Sequence, residues 1–201
     1  MRKKQIVPII VFACDLSHFG ARLGRETEER CDKVTNRAWG IFRLDLSPVI
    51  VLTAGKANPK KFPLQREEIS YMMSDFFHNT WQDIHSSKYP QIITVGSGND
   101  LSGVNNNVWG TKAEILTFIE TIEEDEYIGL DRVHHIIFGT SWYHVPRVWL
   151  LWRFHCPREL RSVPVEFCVA RGKFSNSIVE LVKLPIVAFL LALSILKGKK
   201  K

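Results

Sequence analysis

The chain has 201 residues, of which 45% are hydrophobic and 24% are charged, a composition that fits one folded domain and excludes a disordered or low-complexity chain. Its net charge is +6, but seven positive charges lie in segments 2–4 and 197–201, and subtracting these seven leaves −1 for residues 5–196. A nearly neutral body with two short basic tails argues against a nucleic-acid partner, because a nucleic-acid-binding domain carries its basic residues on a folded face.

Apolar runs and helical periods alternate along the chain. The first run, Ile6–Phe12, is continuous and predicts a strand that is covered on both faces. A helix is predicted over Glu26–Phe42, with Cys31 and Val34 on its apolar face and Arg30 on another face. Further along, the same patterns predict a strand at Val49–Thr53, a helix at Gln65–Phe77 and a strand at Gln91–Val95.

The second half of the chain repeats this alternation. Thr111 and Glu114 form the pattern of a capping box at the start of a helix. A strand is predicted at Val133–Phe138, broken by the glycine that follows it, and a helix at Val145–Phe154. Alternating valines from Val163 onward predict a fifth strand at an edge. Strands separated by helices form βαβ units, so we expect a single α/β domain over residues 1–201 with a mostly parallel sheet.

Both ends of the chain have features of membrane-directed segments. Residues 1–14 resemble a short signal peptide, but the same apolar run fits the buried first strand, and we adopt the strand. The uncharged run Leu184–Leu196 has 13 residues, fewer than the roughly 17–25 that a spanning helix needs. We expect a helix docked on the domain; the alternative is a helix on a membrane surface, with Lys199–Lys201 contacting lipid.

Four cysteines, at positions 14, 31, 156 and 168, lack a CxxC pair and the Cys/His spacing of zinc sites, so no metal site is predicted. We expect reduced, mostly buried thiols, which fit a cytoplasmic protein with membrane association as the alternative.

Ligands of open α/β sheets bind at the carboxyl ends of the strands, where the strand order reverses. Four loops meet this description: Cys14–Gly24, Thr53–Lys56, Gly96–Thr111 and Gly139–Arg147. Their glycines allow a close approach of the backbone, and the helices that follow offer free N–H groups to an anion. We therefore expect a small anionic ligand at this edge.

The fourth loop contains the strongest candidate site. His144 and Arg147 are three residues apart at a helix start and can share a face, with the hydroxyls of Thr140 and Ser141 beside them. Arginine supplies a planar fork for phosphate or carboxylate, and histidine supplies an acid or a base. The alternative is structural: His144 caps the helix and Arg147 forms a salt bridge.

Three other charged residues are candidates. Asp15, just beyond the first strand, would act as a base or bind a ribose hydroxyl, and the alternative is a turn cap. Lys56 and Arg30 would be auxiliary cations for the ligand, and the alternative for each is a surface or structural charge.

The run Thr140–Arg147 resembles the TS-x-x-H-x-x-R signature of the YdcF-like family, which includes SanA-like and ElyC-like bacterial envelope proteins. Three weaker matches lie earlier in the chain, in the order that the family shows: an arginine at Arg30, a turn ending in Gly55, and a segment from Asn107 to Thr111. The resemblance covers roughly residues 6–170. The resemblance implies a Rossmann-like three-layer αβα sandwich. It also implies a nucleotide-like or lipid-phosphate ligand, with Gly55, Asn107 and Thr111 among its contacts.

Three classes of function remain open. The first is a ligand-binding protein or an enzyme of phosphate-containing or envelope-precursor metabolism, with His144 as acid or base and Arg147 as anion clamp. The second is a non-catalytic binder of a nucleotide or of S-adenosylmethionine, because no GxSxG elbow, P-loop or metal-ligand cluster is present. The third is a membrane-associated scaffold that uses the C-terminal helix and the lysine tail.

Overall fold

The computed structural model describes residues 4–13, 16–17, 21–53, 69–84, 89–95, 109–172, 178, 182–189 and 192. Its main sheet has five strands, all parallel, in the order β5-β4-β1-β6-β7. These strands are β1 (Ile6–Val11), β4 (Ser47–Leu52), β5 (Gln91–Thr94), β6 (Ile136–Ser141) and β7 (Val165–Ala170). The chain adds strands outward from β1 on one side and then on the other, so the order reverses between β1 and β6.

Helices cover both faces of the sheet, which confirms the expected three-layer α/β fold. Four of the described helices, with their bounds, are α1 (Arg25–Arg43), α2 (Ile69–Ile84), α3 (Trp109–Glu124) and α4 (Val145–His155). Helices α1 and α2 share a buried cluster with Val7, Ile9 and Val11 of β1. Helices α3 and α4 share the opposite cluster with Ile6 and Ile10, the alternate residues of the same strand. Because β1 has a core on each face, its sequence is apolar throughout.

The structure corrects two predicted loops. Segment 14–24 includes a short antiparallel hairpin, β2 (Leu16–Ser17) paired with β3 (Arg22–Leu23), where only a loop was expected. Strand β6 does not break at Gly139; it continues to Ser141 because its pairing with β7 extends to Ala170. Gly139 is required inside this strand, since a Cβ there would lie 2.6 Å from Cγ2 of Val34 in α1.

The predicted helix faces are largely confirmed. In α1 the buried apolar residues include Cys31, Val34, Ala38 and Ile41. In α2 the buried apolar side chains are Met73, Phe77 and Trp81, and Met72 and Phe76 are partly buried against the same cluster. Of the described cysteines, Cys31 and Cys156 are buried free thiols and Cys168 is half-buried; Cys14 lies outside the described residues.

The last described helical segment covers residues 182–189. It docks on the domain through Val187, which is 2% exposed and belongs to the α3 and α4 cluster. Among the described residues, no helix has the length and apolar character needed to cross a membrane.

Candidate functional site

The reversal of strand order places the ends of β1 and β6 side by side, and a buried polar cluster lies there. The backbone N–H of Phe12, just after β1, donates a hydrogen bond to the carbonyl of Gly139 in β6. From Ser141 the chain enters a 3₁₀ turn, Trp142–His144, that leads directly into α4. Thr140, Ser141, His144 and Arg147 are all buried, as is Arg30 of α1. The structure thus brings together five residues that the sequence singled out.

Arg30 joins three elements. Its Nε and Nη2 donate to Oγ of Ser141 at 3.0 and 2.9 Å, and its Nη1 donates to the carbonyl of Phe12 at 2.6 Å. Its Nη2 also lies 2.9 Å from Oε1 of Glu26, one helical turn earlier in α1. With 1% of its surface exposed, Arg30 braces α1 against the ends of β1 and β6. These contacts are those of a structural charge, which is one of the two roles that the sequence allows for Arg30, and they bury the residue although it lies on another face than Cys31 and Val34.

Glu26 is the acceptor at the centre of this brace. Besides the Arg30 guanidinium, its Oε1 accepts hydrogen bonds from the Ser141 hydroxyl and from the Tyr143 hydroxyl. Sequence reasoning missed both Glu26 and Tyr143. The spacing of Glu26 and Arg30, four residues apart at a helix start, was the available signal for their ion pair.

Gly172 closes the same cluster from the side of β7. Its φ is +68°, and a Cβ added to it would lie 2.5 Å from Cε1 of Tyr143 and 3.0 Å from Oε1 of Glu26. Only glycine combines this backbone conformation with so close an approach.

His144 is held on three sides. Its Nε2 lies 2.6 Å from Nη2 of Arg147 and 3.2 Å from Oγ1 of Thr111, and its Nδ1 lies 2.9 Å from Oγ1 of Thr140. An arginine can only donate, so Nε2 must accept. The proton of the neutral ring is therefore on Nδ1, from which it is donated to Thr140.

The electrostatics of the site agree with a neutral imidazole. Burial lowers the pKa of His144 well below 6.5, and the positive charges of Arg147, Arg30 and Lys183 lower it further. The ring of Phe12 meets the imidazole edge-on at a centroid distance of 5.7 Å. His144 is thus deprotonated at neutral pH, with its Nε2 lone pair directed at the Arg147 guanidinium.

Helix α3 contributes a carboxyl group that the sequence analysis did not assign to the site. Glu114 is partly buried, and this burial raises the pKa of its carboxyl to about 8, although Arg30, Arg147 and the backbone N–H of Ala13 act in the opposite direction. Most Glu114 side chains are therefore protonated at pH 7.

The expected capping box of α3 is wrong. The helix begins at Trp109, so Thr111 lies inside its first turn, where it contacts the His144 ring.

A further buried hydroxyl lies just after β4, the strand that pairs with β1. Thr53 is 1% exposed, and its Oγ1 has no hydrogen-bond partner among the described residues.

The remaining predicted site residues, namely Asp15, Gly55, Lys56 and Asn107, lie outside the described residues. Within the described part of the chain, no group of three or more His, Cys, Asp or Glu side chains is arranged to hold a metal ion.

Comparisons of the chain with protein-family models, with curated proteins and with solved structures gave no match. Function is therefore inferred from the geometry of the cluster.

Proposed function

We propose that this protein binds a small anionic ligand at the carboxyl ends of β1 and β6, with Arg147 as the anion-binding group. The observation that carries the proposal is the buried contact between Arg147 and neutral His144 at the point where the strand order reverses. Crevices at such points are the usual ligand sites of open α/β sheets.

The charges of the cluster favour an anion. The positive charge of Arg30 is balanced by the negative charge of Glu26, its ion-pair partner. His144 is neutral, and Glu114 is mostly protonated at pH 7, so it does not repel a negative ligand. Arg147 adds a second guanidinium to the cluster, in contact with the neutral imidazole.

The chemistry of Arg147 points to a phosphate or carboxylate. A guanidinium is a planar fork that donates two parallel hydrogen bonds to either group. Because the His144 lone pair accepts from Nη2, the ring holds the fork in one orientation. The resemblance to the YdcF-like family extends this proposal to a nucleotide-like or phosphate-bearing ligand, and S-adenosylmethionine would present a carboxylate to the same fork.

A catalytic role is a second candidate, and Glu114 favours it. A mostly protonated carboxyl and a deprotonated imidazole around one arginine supply an acid and a base at neutral pH. In this form of the proposal, a phosphate-containing substrate draws the Arg147 guanidinium away from Nε2, the freed Nε2 of His144 accepts a proton from the substrate, and Glu114 donates one to it.

Titration calorimetry with pyrophosphate, ATP and S-adenosylmethionine tests the binding site. We expect Arg147→Met to weaken the binding of whichever probe binds by about tenfold or more, the loss typical of a charged hydrogen bond. The matched control is Arg153→Met on the same helix, since Arg153 is exposed and its guanidinium lies 5.6 Å from the Trp149 ring. Equal affinity in the parent and Arg147→Met, or no binding of any probe by the parent, would contradict the proposed site.

A further inference from the structure

The helical segment 182–189 has an apolar surface on two sides. One side docks on the domain, where Val187 is buried among the α3 and α4 residues. The other side is exposed: Val182 is 62%, Ile186 46% and Phe189 63% accessible. These three residues are spaced i, i+4 and i+7, so they lie on one face of the helix.

Further exposed apolar residues lie within this segment and on either side of it in the chain. Ile178, four residues before Val182, is 56% exposed. Pro185, Ala188 and Ala192 are exposed as well. Surface helices of soluble domains normally place charged residues on the outer face, and a continuous apolar patch marks an interaction site. We call Ile178, Val182, Ile186 and Phe189 the outer stripe.

The charges that follow the outer stripe in the sequence indicate what covers it. Residues 184–196 carry no charge, and they are followed by lysines at positions 197, 199, 200 and 201. Clustered lysines next to an apolar helical face are the features of a helix that lies in the plane of an anionic bilayer surface. A second protein chain would bind the stripe without any need for four adjacent positive charges.

We propose that the outer stripe inserts into the headgroup region of an anionic membrane, with Lys197 and Lys199–Lys201 contacting the lipid phosphates. The helix lies on the membrane and remains attached to the domain through Val187. Its Lys183 is close enough to lower the pKa of His144, so the segment lies next to the proposed anion site. The membrane proposal does not depend on what that site binds.

Sedimentation of the full chain with vesicles tests the proposal. We expect the protein to pellet with vesicles of equal parts phosphatidylcholine and phosphatidylglycerol, to bind phosphatidylcholine alone much less, and to be released partly by high salt. Replacing the four tail lysines by glutamine should weaken binding by roughly several hundredfold, since each lysine near an anionic surface contributes roughly fivefold in affinity and the four factors multiply.

The apolar contribution is tested by Ile186→Ser combined with Phe189→Ser, which should weaken vesicle binding by at least about tenfold. Both side chains are exposed, so the fold should tolerate the change. A matched control combines Leu44→Ser with Tyr71→Ser, two exposed apolar residues outside the stripe. The proposal is overturned if the parent stays in the supernatant, or if the stripe variant binds like the control. It is also overturned if the parent forms a dimer that the stripe variant lacks, because a second copy would then cover the stripe.

Discussion

Arg30 and Ser141 are 111 residues apart in the chain, yet the guanidinium of one donates two hydrogen bonds to the hydroxyl of the other. The Ser141 hydroxyl in turn donates to Glu26, so one oxygen serves as acceptor and donor between two charged partners. This contact fixes the start of α1 against the end of β6, next to the backbone that carries His144 and Arg147.

Removing this hydroxyl should destabilise the domain. Ser141→Ala leaves the buried Arg30 with two hydrogen bonds fewer and Glu26 with one fewer, and we expect a loss of about 1–3 kcal/mol in the free energy of unfolding. Urea denaturation measures this loss. Ser162→Ala, at an exposed position, is the control and should change stability by less than about 0.5 kcal/mol. If Ser141→Ala is as stable as Ser162→Ala, the brace does not contribute to folding.

Gly139 should tolerate no side chain while α1 keeps its present distance from the sheet. Gly139→Ala places a Cβ 2.6 Å from Cγ2 of Val34, and we expect this overpacking to cost about 1–3 kcal/mol. In a Val34→Ala background the same substitution should cost clearly less, because the clashing methyl groups are gone. Thermal or urea unfolding of the two single variants and the double variant measures this coupling.

A second glycine provides the control for Gly139. At Gly40, inside α1, an added Cβ would meet its nearest neighbour, Nη1 of Arg37, at an ordinary 3.7 Å. Gly40→Ala should therefore stabilise the protein by about 0.5–1 kcal/mol through helix propensity. Equal costs of Gly139→Ala with and without Val34 would contradict the described packing.

Glu114 should make stability depend on pH. Its pKa is about 8 in the folded protein against 4.5 for the ordinary carboxyl, so between these values the folded state binds a proton that the unfolded state lacks. The contribution of Glu114 to the free energy of unfolding is therefore fully present below about pH 4.5 and is lost as the pH rises toward 8. Glu114→Gln keeps the shape of the side chain and removes its titration. As the pH rises from 4.5 to 8, we expect the free energy of unfolding of this variant, relative to that of the parent, to increase by at least about 1 kcal/mol.

Urea unfolding at several pH values between these limits measures the effect. Glu120→Gln, at an exposed position on the same helix, is the control and should follow the parent at every pH. The groups that bear on the Glu114 carboxyl are Arg30 of α1, Arg147 of α4 and the Ala13 N–H after β1. A constant difference between parent and Glu114→Gln across the range would show that the carboxyl is already ionised in the folded state.

The strands and helices were predictable because their sequence patterns report burial. Strand β1 is apolar at every position since it has a core on both faces, and α1 repeats its apolar residues with the helical period. The local site was predictable too: His144 and Arg147 are three residues apart at a helix start, so their contact needs no distant part of the chain.

The partners of the charged residues were not predictable in this way. The helical period placed Arg30 away from the apolar face of α1, but its partners are Ser141 and the Phe12 carbonyl, which only the sheet brings near. Tyr143 and Glu114 were missed for the same reason, whereas the spacing of Glu26 and Arg30 within α1 was a local signal for their ion pair.

By itself the sequence determined the alternation of strands and helices, the parallel sheet, and the edge of that sheet where the polar residues collect, because these follow from burial patterns within a few residues of chain. The tertiary structure alone decided that Arg30 is buried in an ion pair, that His144 is neutral and that Glu114 holds its proton near pH 7. Protonation and pairing depend on desolvation and on the distance to other charges, and here those charges come from elements far apart in the sequence.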